Sequence, residues 1–338
     1  MSGQVPTWLE PLFDLLEQQA VSRTPSPHSE PDDSRRGPGS LALIVEGGVS
    51  SVLDVIAGFC HQGSQVRVAH WLIHDDRRAR LVLVHVDDGQ ATDSRIIDVR
   101  SSEVSAAPPS WRRPLVRGPR NGGVNVAIYG PDGVGKSSVT AALAAALRDL
   151  GVPSAAVRTY HAFVDIDELE VRAESTSTAV KASAYGRAAK PQLRAAVLVV
   201  AYLKRLLLLR LRIQPWIRAG GVAVHDRYLL DVFLKSQKTQ PDPIPLLERL
   251  LPGLSPTDDL VFVLRAEPDV VSGRTGELQP AEVVDAYALL DRCLQNGHGT
   301  HLVVDANLAA EAVRLRLLRF LLDHQSRRFA QLHGRPVV

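Results

Sequence analysis

Apolar positions along the chain fall into helical and strand periods separated by polar stretches. Leu9, Leu12, Phe13 and Leu16 recur at helical spacing, so Trp8–Leu16 is predicted to be a short amphipathic helix docked on its own chain. Ser22–Ser40 holds four prolines, five serines and no aliphatic or aromatic side chain; with nothing to bury, it reads as a disordered linker. From Leu41 to about Ser105, Val52–Phe59 carries a helical pattern. Val66–Trp71, Leu81–Val86 and Arg95–Val99 carry strand patterns divided by polar turns. Ala106–Gly123 is rich in Pro, Arg and Gly and reads as a second linker. Beyond it, apolar runs at Val124–Tyr129, Ala155–Tyr160, Gly221–His225, Leu260–Leu264 and His301–Asp305 alternate with helical stretches. Such alternation predicts a parallel sheet covered on both faces. The organisation expected is a helix and linker at 1–40, a small α+β domain at 41–105, a linker at 106–123 and an α/β domain at 124–338.

The most apolar stretch, Leu193–Ile213, carries Arg194, Lys204, Arg205, Arg210 and Arg212. Its longest uncharged run, Ala195–Leu203, falls far short of the ~20 residues that span a bilayer. The stretch is therefore read, from Pro191 on, as a soluble helix packed against the sheet, and no membrane partner is expected. Lys+Arg number 39 and Asp+Glu 37, a net charge of +2, without the basic excess of a general nucleic-acid binder. Two cysteines, Cys60 and Cys293, make neither a disulfide framework nor a four-cysteine zinc site. The N-terminal residues show no basic segment followed by an apolar core, so a cytoplasmic location is expected.

One motif names a ligand class. Gly130-Pro131-Asp132-Gly133-Val134-Gly135-Lys136-Ser137 fits G-x-x-x-x-G-K-[ST]. Glycines let successive backbone N–H groups close around phosphate oxygens. The lysine reaches the β- and γ-phosphates, and the serine hydroxyl ligates Mg²⁺. An apolar strand, VNVAIY, precedes the loop, and a helical pattern beginning SSVTAALAAAL follows it. Gly130, Asp132, Gly133, Val134, Gly135, Lys136, Ser137 and Ser138 are the expected nucleotide-binding residues, with ATP and Mg²⁺ as ligands.

A P-loop needs a second carboxylate for the metal. Gly221–Tyr228 reads GVAVHDRY, a strand ending in Asp226, Arg227 and Tyr228. Asp226 is the candidate metal ligand beside Ser137. Arg227 is the candidate phosphate clamp, because guanidinium pairs bidentately with phosphate oxygens. His225 sits mid-strand by alternation and reads as a packed histidine. Gly273-Arg274-Thr275-Gly276-Glu277 reads as a loop that closes over ATP and brings a cation to the transferred group.

GPDGVGKSSVTAALAAAL followed by DRY resembles the thymidylate kinase family of P-loop kinases. PTDDLVFVLRAEPDVVSGR is similar to that family's strand leading into its lid, and RTGELQPAEVVDAYALL to the lid and the helix after it. HLVVDANLAAEAV is similar to its last strand and the loop flanking the adenine. The resemblance covers about Val124–His324. It implies a P-loop NTPase-type sheet and phosphoryl transfer from ATP, with Lys136, Asp226, Arg227 and Arg274 as catalytic residues. Arg158, His161, Arg187 and Tyr228 are the candidate residues on the acceptor side. The chain departs from the family there: no proline follows Arg158, the lid offers only Arg274, and Asp165–Lys190 is unusual, rich in Ser, Thr and Ala with Lys181, Arg187 and Lys190.

The acceptor stays open between two chemistries. A phosphate acceptor needs cations, which Arg158, Arg187, Arg194, Arg227 and Arg274 could supply. A hydroxyl of a sugar, nucleoside or natural product would profit from a base such as His161, Asp165 or Asp167. A non-kinase ATP-dependent switch protein is the reading from another class. Pairing of two copies is compatible with the sequence. Residues 41–105 weakly resemble degenerate nucleotidyltransferase-like domains but lack the D-x-D acids of that chemistry. They are expected to be catalytically silent and separable, leaving residues 124–338 able to bind ATP alone.

Overall fold

A computed structural model describes residues 6–17, 21–25, 39–45, 49–61, 64–75, 78–88, 90–101, 121–158, 200, 202–204, 206–226, 228, 260–276, 278–295 and 300–333. The chain is an α/β protein with two five-stranded sheets. The first sheet is mixed. Its strands are β1 (Val21–Pro25), β2 (Gly39–Val45), β3 (Val66–Asp75), β4 (Arg78–Asp87) and β5 (Gln90–Ser101), in the order β1-β2-β5-β4-β3. Only β2 and β5 run parallel. One face is covered by α1 (Glu10–Glu17) and α2 (Ser50–His61): Leu12, Phe13, Leu16, Val52 and Ile56 share a cluster with Leu81 and Leu83.

The predicted helix at Trp8–Leu16 is α1 with a preceding 3₁₀ turn at Thr7–Leu9. The linker expected at Ser22–Ser40 is corrected at both ends, where β1 and the start of β2 lie. An edge strand has a single neighbour and tolerates polar residues and proline, so composition conceals it.

The second sheet is parallel throughout. Its strands are β6 (Val124–Tyr129), β7 (Ser154–Arg158), β8 (Val222–Asp226), β9 (Leu260–Arg265) and β10 (Thr300–Asp305), in the order β10-β9-β6-β8-β7. β6 is central and every residue in it is buried, which explains its unbroken apolar pattern. Helix α3 (Lys136–Asp149) lays Val139, Leu143, Ala146 and Leu147 on the sheet at helical spacing. The apolar stretch after residue 200 is helical, passes through a π-helical turn at Leu209–Ile213 and runs on as α4 (Gln214–Arg218), past the end expected at Ile213. Among the described residues α5 (Pro268–Thr275), α6 (Pro280–Gln295) and α7 (Ala310–His333) follow. Among the described residues no helix is long and apolar enough to cross a membrane.

The two sheets meet along β3. An edge strand exposes unpaired N–H and C=O groups; here side chains and a short backbone segment fill that row. Val68 N–H donates to Ser326 Oγ of α7 (2.8 Å), and Ile73 N–H to Asn121 Oδ1 (3.1 Å). Gly122 N–H donates to the Trp71 carbonyl (2.8 Å). Gln325 Nε2 donates to the Gly122 carbonyl (2.7 Å), and Arg328 to that of Gly123 (2.7 Å). Asn121, Gly122 and Gly123 are therefore buried structure, a correction to the linker expected through Gly123. The cores join as well. Ala69, Val82 and Val84 pack in one cluster with Val126 and Leu143, while Phe329 of α7 meets Trp71 edge-on at 5.1 Å.

Two histidines are buried in the fold. His70 on β3 hydrogen-bonds the Gly220 carbonyl just before β8, and His225 lies inside β8 with no hydrogen-bond partner. Both are fully buried. Burial pushes the His70 pKa down to about 4, against the opposing pull of the Gly220 carbonyl, and the His225 pKa down to about 3. The unfolded imidazoles titrate near 6.5, so below that pH the unfolded chain binds protons that the folded chain refuses. Stability is full above about pH 7 and falls as pH drops toward the folded pKa values. Each group contributes about 1.4 kcal/mol per pH unit, or roughly 4 kcal/mol for the pair by pH 5. Urea midpoints at pH 7.5 and 5 are expected to show this loss, and His225→Leu to reduce it by about half. Identical midpoints at the two pH values would refute it.

Candidate functional site

The site is built at the carboxyl ends of the parallel strands. The chain leaves β6 toward β7 and β8 on one side and later adds β9 and β10 on the other. Clefts in open α/β sheets form where the strand order reverses in this way. The loop Gly130–Gly135 leaves β6 there and enters α3 at Lys136. Gly133 (φ 92°) and Gly135 (φ 101°) hold left-handed backbone that a side chain would strain, which is how the loop curls back over the helix start. The first turn of α3 carries no acid, leaving its N–H groups and dipole open to an anion.

Lys136 is only 5 % exposed. Its ammonium donates to the carbonyls of Gly130 (2.6 Å) and Pro131 (2.9 Å) and approaches Asp132 Oδ1 (3.4 Å). The cation is thus centred in the loop on its own oxygens. Val134 is buried beneath the loop, and Ser137 and Ser138 retain exposure on the first turn.

Asp226 ends β8 in register with Ile128 of β6, two residues before Gly130, and with Arg158 of β7. Adjacent strands lie about 4.8 Å apart. Val222 and Val224 share a cluster with Val139 and Leu143 of α3, and alternation places the buried Asp226 on the same face. The carboxylate and Ser137 therefore belong to one face and one end of the sheet. Among the described residues no group of three or more His, Cys, Asp or Glu could hold a metal ion. The donors offered are a carboxylate and a hydroxyl, both hard oxygens.

A wall closes the β9 and β10 side. Ala306 N–H donates to the Arg265 carbonyl (2.6 Å), Glu267 N–H to Asn307 Oδ1 (3.2 Å), and Asn307 N–H to Asp305 Oδ1 (2.9 Å). Tyr287 Oη accepts from Ala266 N–H (2.9 Å), and Arg274 Nη2 donates to the Ala306 carbonyl (3.2 Å). Sequence reading had not singled out Asn307 or Tyr287. An aspartate–x–asparagine just past a strand was the available signal, since such side chains bind nearby backbone.

One expectation is corrected. Gly273 and Arg274 are not in a loop: they lie in the last turn of α5, and Arg274 is tied to the β10 side. Tyr228 is fully buried, accepts from Asn125 Nδ2 (3.0 Å) and packs with Tyr129 and His225. His225 is buried as expected. Arg158 is placed by its backbone alone, while Arg227, His161, Asp165, Asp167, Arg187 and Arg194 lie outside the described residues. The chain matches no family model and no curated protein.

Proposed function

We propose that the chain is an ATP- and Mg²⁺-dependent small-molecule kinase of the thymidylate-kinase-like type, on a P-loop NTPase-type sheet, with a nucleoside monophosphate as acceptor. The observation that carries the reading is Lys136 in a glycine-rich turn between a central parallel strand and a helix, with Asp226 one strand away on the same face. Backbone N–H groups of the loop hold the phosphates. Lys136 exchanges its carbonyl partners for β- and γ-phosphate oxygens. Ser137 and Asp226 would hold Mg²⁺; a sparse, all-oxygen set suits an ion that takes its other ligands from phosphate and water. When bound, the ion neutralises charge building on the transferred phosphoryl group. Arg227 clamps the acceptor phosphate, and the wall at Ala306–Asn307 borders the adenine. Residues 41–105 take no part in the chemistry; their contacts lie along α7 and at the amino ends of β6 and β8, away from the loop.

The test is transfer from γ-labelled ATP to nucleoside monophosphates, nucleosides and sugars, with Asp226→Asn beside the wild type. Label is expected on a monophosphate, reduced by about 100-fold or more in the variant. Label on a hydroxyl acceptor instead would keep the kinase and move the base to His161, Asp165 or Asp167. ATP bound tightly with no acceptor labelled would replace the kinase by a nucleotide-driven switch.

A further inference from the structure

Asn125 interrupts the apolar run of β6, the central strand of the parallel sheet. Asparagine is depleted in strands, and an amide taken out of water needs a partner. Asn125 is 1 % exposed, and its Nδ2 donates to Tyr228 Oη at 3.0 Å. Tyr228 is fully buried as well, its ring centre 4.6 Å from that of His225 and 6.4 Å from that of Tyr129.

These contacts put the ring on one particular face of the sheet. Val222 and Val224 pack with α3, and Asp226 follows them by alternation, while Tyr129 and Tyr228 share the cluster on the other face. A strand continued past Asp226 would carry residue 228 to the α3 face too. The alternation therefore breaks between Asp226 and Tyr228, and the bond to Asn125 holds Tyr228 on the far face. The ladder to β6 and β7 runs as far as Asp226, so that carboxylate is fixed by its own strand. Beyond the ladder, the buried bond ties the chain back to β6, the strand that leads into the glycine-rich loop. The residue between these two anchors in the sequence is Arg227.

We propose that Asn125 is a positioning residue for the acceptor: through the Tyr228 hydroxyl it fixes the chain just past Arg227, and so fixes where that guanidinium meets the acceptor phosphate. This rests on the kinase reading, in which Arg227 clamps that phosphate. Asn125 itself is the second residue of β6 and pairs with Ala223, away from the carboxyl ends where the cleft lies.

The experiment is transfer from γ-labelled ATP to nucleoside monophosphates, with Asn125→Val/Tyr228→Phe and Tyr228→Phe beside the wild type. The double variant removes both polar partners and nearly keeps their shapes, so its thermal midpoint should stay close to that of the wild type. The acceptor KM is expected to rise about 10-fold or more while the ATP KM moves by less than about twofold. Tyr228→Phe removes a single oxygen and gives the same split should the double variant unfold. Arg227→Ala supplies the second arm. Because Asn125 acts through Arg227, adding the double change to Arg227→Ala should lower the acceptor kcat/KM no further. Parallel losses on ATP and acceptor that track the thermal midpoint would make the bond merely structural and overturn the proposal. So would unchanged acceptor kinetics, or a full further loss on top of Arg227→Ala. A wild type that labels no monophosphate would overturn the monophosphate reading itself, and this proposal with it.

Discussion

Lys136→Ala is expected to abolish labelled phosphate transfer while leaving the chain folded. Lys136 is the first residue of α3, and its ammonium is the cation at the centre of the glycine-rich loop. Its hydrogen bonds to the Gly130 and Pro131 carbonyls are contacts that incoming phosphate oxygens would replace. Alanine removes the charge that offsets the developing negative charge on the transferred group. Losing one such donor typically costs 10²–10³-fold in rate, so a fall of about 1000-fold is expected. Stability should move far less, because the helix start keeps its backbone and alanine favours a helix. Rate and thermal midpoint are measured together. Near wild-type transfer by a folded Lys136→Ala protein would remove the loop from the mechanism. Loss of the fold would show instead that the ammonium serves chiefly to hold the loop.

Residues 124–338 expressed alone are expected not to fold cooperatively. The proline-rich composition of 106–123 suggests two separable modules, and the packing around β3 argues otherwise. Removing the first sheet uncovers Phe329, which otherwise packs on Trp71. It also strips Val126 and Leu143 of the cluster partners Val82 and Val84. Exposing each large apolar side chain costs roughly 1.5–3 kcal/mol. Ser326, Gln325 and Arg328 lose partners in β3 or in Gly122 and Gly123, at about 1 kcal/mol for each hydrogen bond. The losses together approach the roughly 5–15 kcal/mol that holds a whole domain folded. The fragment should bind a hydrophobic dye and melt without a sharp transition, and co-expressed residues 1–123 should restore both. A fragment that melts cooperatively near the full-length midpoint and binds ATP would show that the sheets are independent.

This second expectation shows where reading the chain in one dimension falls short. The glycine-rich loop was legible because eight contiguous residues and their flanks specify it. Gly133 and Gly135 take left-handed backbone, and the apolar run before them can only be a buried strand. Asp226 was legible for a related reason: a carboxylate closing an apolar run marks a strand end. Tyr228 stands two residues from Asp226, and adjacency suggested shared work. The fold buries the ring, and its hydroxyl accepts from Asn125 Nδ2, more than a hundred positions earlier in the chain. Arg274 has loop-like neighbours, yet α5 continues through it and Ala306 holds its guanidinium.

Sequence alone determined the elements of the second sheet, the glycine-rich loop between β6 and α3 and the carboxylate that ends β8, because each depends on residues adjacent in the chain. Tertiary structure decided that the first sheet is joined to the second, that β3 is sealed by Ser326 from 258 positions away, and that Asn125 meets the Tyr228 hydroxyl. These outcomes depend on which polar groups and apolar faces meet through space once the chain is compact. Local period and composition carry no record of those meetings.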